Sequence, residues 1–162
     1  MLGYAEKIKS VADRIKDQTS MFYLGRGLDF VIAVEGALKS KEISYIHSEA
    51  FASGELKHGT IALIEEGIPV VINVTQSDLF EKSVSNIKEV TARGAYVIAI
   101  AKEGNKLVEE VADEVFYIPE VEDEFTGFLT IVIHQLLAYY LSKLKGNDVD
   151  KPRNLAKSVT VE

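Results

Sequence analysis

Residues 69–101 read PVVINVTQSDLFEKSVSNIKEVTARGAYVIAIA. Six nearly continuous apolar residues, Pro69 to Val74, are followed by a helix-forming run from Ser77 to Arg93, and a second apolar run from Ala95 to Ala101 closes the unit. Ser77 is placed to cap the helix, Asp78 and Glu81 fall in its first turn, and Gly94 stands where a left-handed residue would end it. Short runs without polar alternation are the pattern of strands covered on both faces, which is the situation of a parallel sheet. The unit is therefore β-α-β, and it predicts an α/β fold with right-handed crossovers.

The same reading extends outward. MFYLG (21–25) and EVFYIP (114–119) are two further strands of this kind, and ISYIHSEAF (43–51) is a weaker candidate. Helical stretches are expected over 3–18, where Tyr4, Ile8, Val11, Ala12 and Ile15 recur at helical spacing, and over 28–42, 106–112 and 126–145, with a short turn over 56–63. The sequence Asn73-Val74-Thr75 matches a glycosylation acceptor but reads better as a strand end. In open sheets of this kind ligands bind beyond the carboxyl ends of the strands.

Composition narrows the function. With 162 residues, 47% hydrophobic and 27% charged, the chain fits one domain, and a net charge of −7 without basic clusters argues against nucleic acid. There is no cysteine, which removes thiolate metal sites, disulfides and a cysteine nucleophile together. No targeting segment is evident, and no stretch is expected to supply the ~20 apolar residues of a membrane span. A protein of the cytoplasm, without membrane contact, is expected.

Three places attract chemistry. Gly25 and Gly27 in YLGRG (23–27) open a helix as a phosphate loop would, yet there is no third glycine and Asp29 would repel an anion, so a tight turn is the better reading. The stretch EGALKSKEISYIHSEAFASGELKHG (35–59) is the densest ionisable cluster. Glu35, Lys39 and Glu42 share a helix face at i,i+4 and i,i+3, which by spacing alone reads as a solvated row of ion pairs worth ~0.3–0.5 kcal/mol each. His47, Glu49, Glu55, Lys57 and His58 follow, which adds groups suited to proton transfer near neutrality. No metal is expected, because His47 and His58 lack the spacing of a ligand pair. His134, inside FLTIVIHQLLAYYL (128–141), reads as a packed or surface residue.

The third place is DVDKPRNLAKSVTVE (148–162). A poorly ordered terminus is one reading, and the apolar residues Leu155, Val159 and Val161 argue for a tail packed on the domain. A lysine held there, Lys157, would be partly desolvated and available to attack a carbonyl.

These two long stretches, 35–59 and 148–162, closely resemble the second SIS (sugar isomerase) subdomain of the glucosamine-6-phosphate synthase family, also called glutamine–fructose-6-phosphate aminotransferases. The likeness runs from about Phe22 to Glu162. It implies a SIS fold: a flavodoxin-like three-layer α/β/α sandwich around a five-stranded parallel sheet, with an ordered C-terminal tail. Residues 1–162 would be one SIS domain, with a leading helix over 1–20, a core over 22–146 and an active-site tail over 147–162.

The resemblance also implies roles. Glu42 would move a proton between C1 and C2 of a hexose phosphate. Lys39 would position the sugar oxygens, and His58 would assist ring opening in a neighbouring subunit's site. Lys157 would form a Schiff base with the ketose carbonyl of fructose 6-phosphate, with Ala156 beside it in substrate binding.

The partners implied are fructose 6-phosphate and glucosamine 6-phosphate, a first SIS half and a glutaminase domain of the same enzyme, and a second copy in a homodimer. No cofactor is implied. Thr60 stands where the family commonly has proline, and the family's phosphate-binding Ser/Thr-rich loop and cysteine nucleophile have no counterpart in these residues, so an excised C-terminal piece with little activity of its own is expected. The alternative is a stand-alone SIS module that binds a sugar phosphate for regulation. In the expected arrangement Pro152 to Glu162 fold over the sheet's carboxyl edge with Lys157 toward Glu42.

Overall fold

The computed structural model of the chain describes residues 2–153. Nine elements follow in order: α1 (Ala5–Ile15), β1 (Ser20–Gly25), α2 (Leu28–Ser44), β2 (His47–Ala52), β3 (Pro69–Val74), α3 (Phe80–Thr91), β4 (Tyr96–Lys102), β5 (Glu114–Ile118) and α4 (Thr126–Leu144). Short 3-10 turns fill several connections, among them Ser53–His58, Ser77–Leu79 and Asp123–Phe125. The five strands form one parallel sheet in the order β2-β1-β3-β4-β5, with Ser20 opposite His47 and Pro69 opposite Tyr96 at its amino edge. Every helix therefore runs back against the strands, and the direction of α2 and α4 decides where the functional residues fall.

The apolar strand runs are explained by burial on two sides. Along β4, Tyr96, Ile98 and Ile100 face a core made with α1, α2 and α4, while Val97, Ala99 and Ala101 face a second core made with α3. The period of two in side-chain direction divides one continuous apolar run between two cores. Asn73 is buried within β3, so the Asn-Val-Thr triplet is a strand end and no glycan can reach it.

Three local readings are corrected. Ser77 does not cap α3, which begins at Phe80 without a side-chain cap; instead the amide and hydroxyl of Ser77 both donate to the carboxylate of Asp123, at 2.8 Å each. A distant carboxylate has taken the donors that a local cap would use. The weak strand over 43–51 starts at His47, because α2 runs on through Ser44 and the chain turns at Tyr45. The segment Asp123–Leu144 is long and apolar enough, by length and composition, to cross a membrane, against the sequence reading. Ile133, Leu137 and Leu141 of α4 belong to the first core, His134 and Ala138 are buried as well, and a helix packed on several sides is apolar for that reason.

Helix α2 lies close on α4 at Gly36. A Cβ added there would stand 2.8 Å from Cγ of His134 and 3.1 Å from Cε1 of Tyr23. Gly36→Ala should therefore lower stability by about 2 kcal/mol, even though alanine is the better helix former. In thermal denaturation that is a midpoint lower by roughly 4–8 °C; an unchanged or higher midpoint would mean that the α2–α4 contact can relax.

Candidate functional site

Helix α2 turns Ala33, Gly36, Ala37, Ser40 and Ser44 inward, where small residues allow close packing, and leaves Glu35, Lys39 and Glu42 on its outer side. The ammonium of Lys39 sits 2.7 Å from Oε2 of Glu42 and 3.5 Å from Oε1 of Glu35. About 30% of both the Lys39 and the Glu42 side chain stays exposed. The bond to the Glu42 carboxylate raises the Lys39 pKa against the opposing effect of burial, so the ammonium persists at neutral pH. Such a pair adds little to stability at this exposure. It does present a carboxylate that can accept a proton beside an ammonium with N–H donors to spare.

The predicted residues do not all meet. Glu42 and Lys39 occupy the last turns of α2, at the amino edge of the sheet, whereas His58 ends the 3-10 turn that follows β2 at the carboxyl edge. Six residues of β2 separate the two places, about 20 Å at strand rise. His58 is exposed, and its neighbour Lys57 is tied to Glu89 of α3 at 2.8 Å. Arg26, after β1, donates to Asn86 at 2.9 Å at the same edge. His47 is exposed at the start of β2, 3.6 Å from Glu49, and both line a cleft of ≈ 320 Å³ at the amino edge. Among the described residues, no cluster of three or more acidic or histidine side chains is disposed to hold a metal ion.

His134 is fully buried, its Nε2 3.0 Å from Oδ1 of Asn73 and its Nδ1 without a partner. Burial pushes its pKa down to about 3, so it is a neutral core residue.

The tail expected over the carboxyl edge spans Pro152 to Glu162, and of it only Pro152 and Arg153 are described. From Asn147 to Arg153 the chain lies at the C-terminal end of α2, at the amino edge of the sheet. Asn147 donates to the carbonyl of Ile43 at 3.1 Å, and the amide of Arg153 donates to the phenol oxygen of Tyr45 at 2.8 Å. The Arg153 guanidinium also covers the Tyr45 ring, 4.0 Å from its centroid. Tyr45 is three residues past Glu42, so this clasp and the Lys39–Glu42 pair share one helix end. Ala156 and Lys157, with the rest of the expected ordered tail, lie outside the described residues.

One constellation escaped the sequence reading. The strand order reverses between β1 and β3, where a ligand would be sought, but the place is filled by the protein's own groups. Oδ2 of the buried Asp29 accepts from the amides of Thr75 (2.7 Å) and Gln76 (3.4 Å), and its Oδ1 lies 2.5 Å from Oγ1 of Thr75. Thr75 Oγ1 lies 2.9 Å from Oγ1 of Thr126, which is 2.8 Å from the carbonyl of Asp123. Beside them the buried Lys102 holds Asp123 at 2.7 Å and Glu120 at 3.1 Å. A backbone cradle of the kind that binds phosphate thus receives a carboxylate instead. The available signal was an acidic residue in the first turn of an otherwise apolar helix, LDFVIAV, without a basic partner at i+3 or i+4.

Comparison with known proteins agrees with this architecture. The SIS domain family matches residues 14–144. Over all 162 residues the chain is 62% identical to the glutamine–fructose-6-phosphate aminotransferase (isomerizing) of Clostridium acetobutylicum, and 59% identical to that of Caldanaerobacter subterraneus subsp. tengcongensis. It spans 27% of the length of each. The solved C-terminal domain of the glucosamine-fructose-6-phosphate aminotransferase from Francisella tularensis superposes with a TM-score of 0.85 at 38% identity, over 93% of this chain and 42% of that one.

Proposed function

Since this chain belongs to the SIS domain family, we propose that it is the second sugar-isomerase half of a glutamine–fructose-6-phosphate aminotransferase. The whole enzyme would act in the cytoplasm, making glucosamine 6-phosphate from fructose 6-phosphate and glutamine-derived ammonia. The observation that carries the reading is the Lys39–Glu42 pair at 2.7 Å on the same helix end that clasps Arg153, four residues before Lys157.

The chemistry follows from these groups. The amine of Lys157 would add to the C2 carbonyl of the open-chain ketose and lose water, giving an iminium that makes the C1 hydrogen more acidic. Ammonia would add to that iminium at C2 and displace the Lys157 amine, leaving the C2 imine of the ketose. The carboxylate of Glu42 would then take a proton from C1 and return it at C2 to give the 2-amino aldose, while the Lys39 ammonium steadies the sugar oxygens and the carboxylate itself. Phosphate contacts would come from the first SIS half, in keeping with the filled cradle at Asp29. His58, about 20 Å from Glu42 along β2, would serve the site of the second copy in a homodimer by opening the sugar ring. Ammonia would arrive from a glutaminase domain in the same protein, because this chain has no cysteine nucleophile.

Borohydride treatment of the full-length protein in the presence of fructose 6-phosphate tests this reading. The reduced adduct is expected on Lys157, with turnover to glucosamine 6-phosphate in the untreated enzyme. Calorimetric binding of either sugar phosphate without any conversion would favour a regulatory binding module in its place.

A further inference from the structure

We propose that Tyr45 is a positioning residue that anchors Arg153 at the helix end carrying Glu42 and so shortens the tether of the tail amine. This rests on the reading of Lys157 as the Schiff-base amine, and the observations that carry it are in the described residues.

Tyr45 is the C-cap of α2 and, among the described residues, the one non-glycine with positive φ, at +61°. Glycine takes this left-handed position without strain, and the chain uses it in this way at Gly94 and Gly146. A bulky aromatic residue pays a steric penalty there, so its side chain must supply something that glycine would not. What it supplies is the seat of Arg153: the phenol oxygen accepts from the Arg153 amide at 2.8 Å, and the ring lies under the guanidinium at 4.0 Å. The left-handed turn brings the ring to that place at the end of α2, whose last carbonyls also hold Asn147. Asp148 turns the intervening chain by accepting from the amides of Asp150 and Lys151 at 2.9 and 3.2 Å.

The consequence concerns tether length. With Arg153 held, Lys157 is four residues from its anchor and within about 14 Å of it. With the clasp gone, the nearest side-chain anchor on α2 is Asn147, ten residues away. Effective concentration falls roughly as the −3/2 power of tether length, which is about fourfold here, and lost orientation adds to it.

The test uses Tyr45→Gly in the full-length enzyme, a change that relieves the left-handed strain while deleting both contacts. Expected are an unchanged or higher melting midpoint, an unchanged KM for fructose 6-phosphate, and a kcat and rate of borohydride trapping lower by about 4- to 20-fold. Tyr45→Phe keeps the ring and loses only the acceptor, so it should retain most of the activity, with a fall of about twofold. Arg153→Ala should lower kcat in the parent and add nothing in the Tyr45→Gly background. If Tyr45→Gly keeps kcat and trapping within about twofold while Lys157→Ala abolishes both, the positioning role is wrong and the amine assignment stands. If Lys157→Ala itself retains both, the amine assignment fails and the role of Tyr45 goes with it.

Discussion

Glu42→Gln in the full-length protein should lower kcat for sugar-phosphate conversion by about 10²- to 10⁴-fold, with KM within roughly threefold of the parent. Glutamine keeps the volume and one oxygen acceptor for the Lys39 ammonium, so the helix end and the sugar contacts stay in place. What disappears is the ability to accept a proton. The Glu42 side chain is about 29% exposed, so melting should barely move. Glu35→Gln is the internal control. Glu35 also faces Lys39, at 3.5 Å, but sits two helical turns before Glu42, and its loss should cost less than about twofold. Equal losses for the two variants would mean that general negative charge on α2 matters and that Glu42 is not the base.

Asp29→Ala should cost about 3 kcal/mol, because it leaves the Thr75 amide and the hydroxyl chain behind it buried without a partner. Asp29→Asn should cost far less, and the hydrogen count explains why. Thr126 has one proton, and its 2.8 Å contact with the carbonyl of Asp123 uses it. Thr126 in turn accepts from Nε2 of Gln76 at 3.2 Å, which leaves Thr75 free to donate its own proton to Oδ1 of Asp29. Asparagine keeps an oxygen for the Thr75 amide and can turn its NH2 group toward the Thr75 oxygen, whose proton then serves Thr126.

Burial raises the Asp29 pKa, against the lowering by its bonds to Thr75 and Gln76. The sign of the pH effect follows. Between the unfolded carboxylate range near ~3.9 and the higher folded value, the native state binds more protons than the unfolded chain, so this group's contribution to stability declines as pH rises through that window and levels off above it. Denaturant titrations from pH 4 to 8 should show the decline in the parent as an excess over Asp29→Asn. A parent that gains stability relative to Asp29→Asn over this range would contradict a raised pKa at Asp29.

How much could be read in advance differs from residue to residue. PVVINV and AYVIAIA announced strands covered on two sides, because side-chain direction alternates locally and both cores demand apolar groups. Glu35, Lys39 and Glu42 could be placed on one helix face, because helical spacing is local too. Spacing could not rank Glu42 above Glu35; only the likeness in 35–59 and 148–162 did that. Ser77 was misread for the opposite reason. Its partner, Asp123, is 46 residues away, and no local rule predicts that a distant carboxylate will take donors which a cap would otherwise use.

From the sequence alone came the order of strands and helices, the covering of the strands on both faces, and the types of group available for proton transfer and carbonyl attack. All of these depend on periodicity and side-chain chemistry within a few residues. Tertiary structure decided the strand order 2-1-3-4-5, the filling of the switch point by Asp29 and Thr75, the separation of His58 from Glu42 along β2, and the seating of Arg153 on Tyr45. Each of these sets contacts between segments distant in the chain, where the free energy lies in burial and hydrogen bonding across the fold and leaves no mark in local pattern.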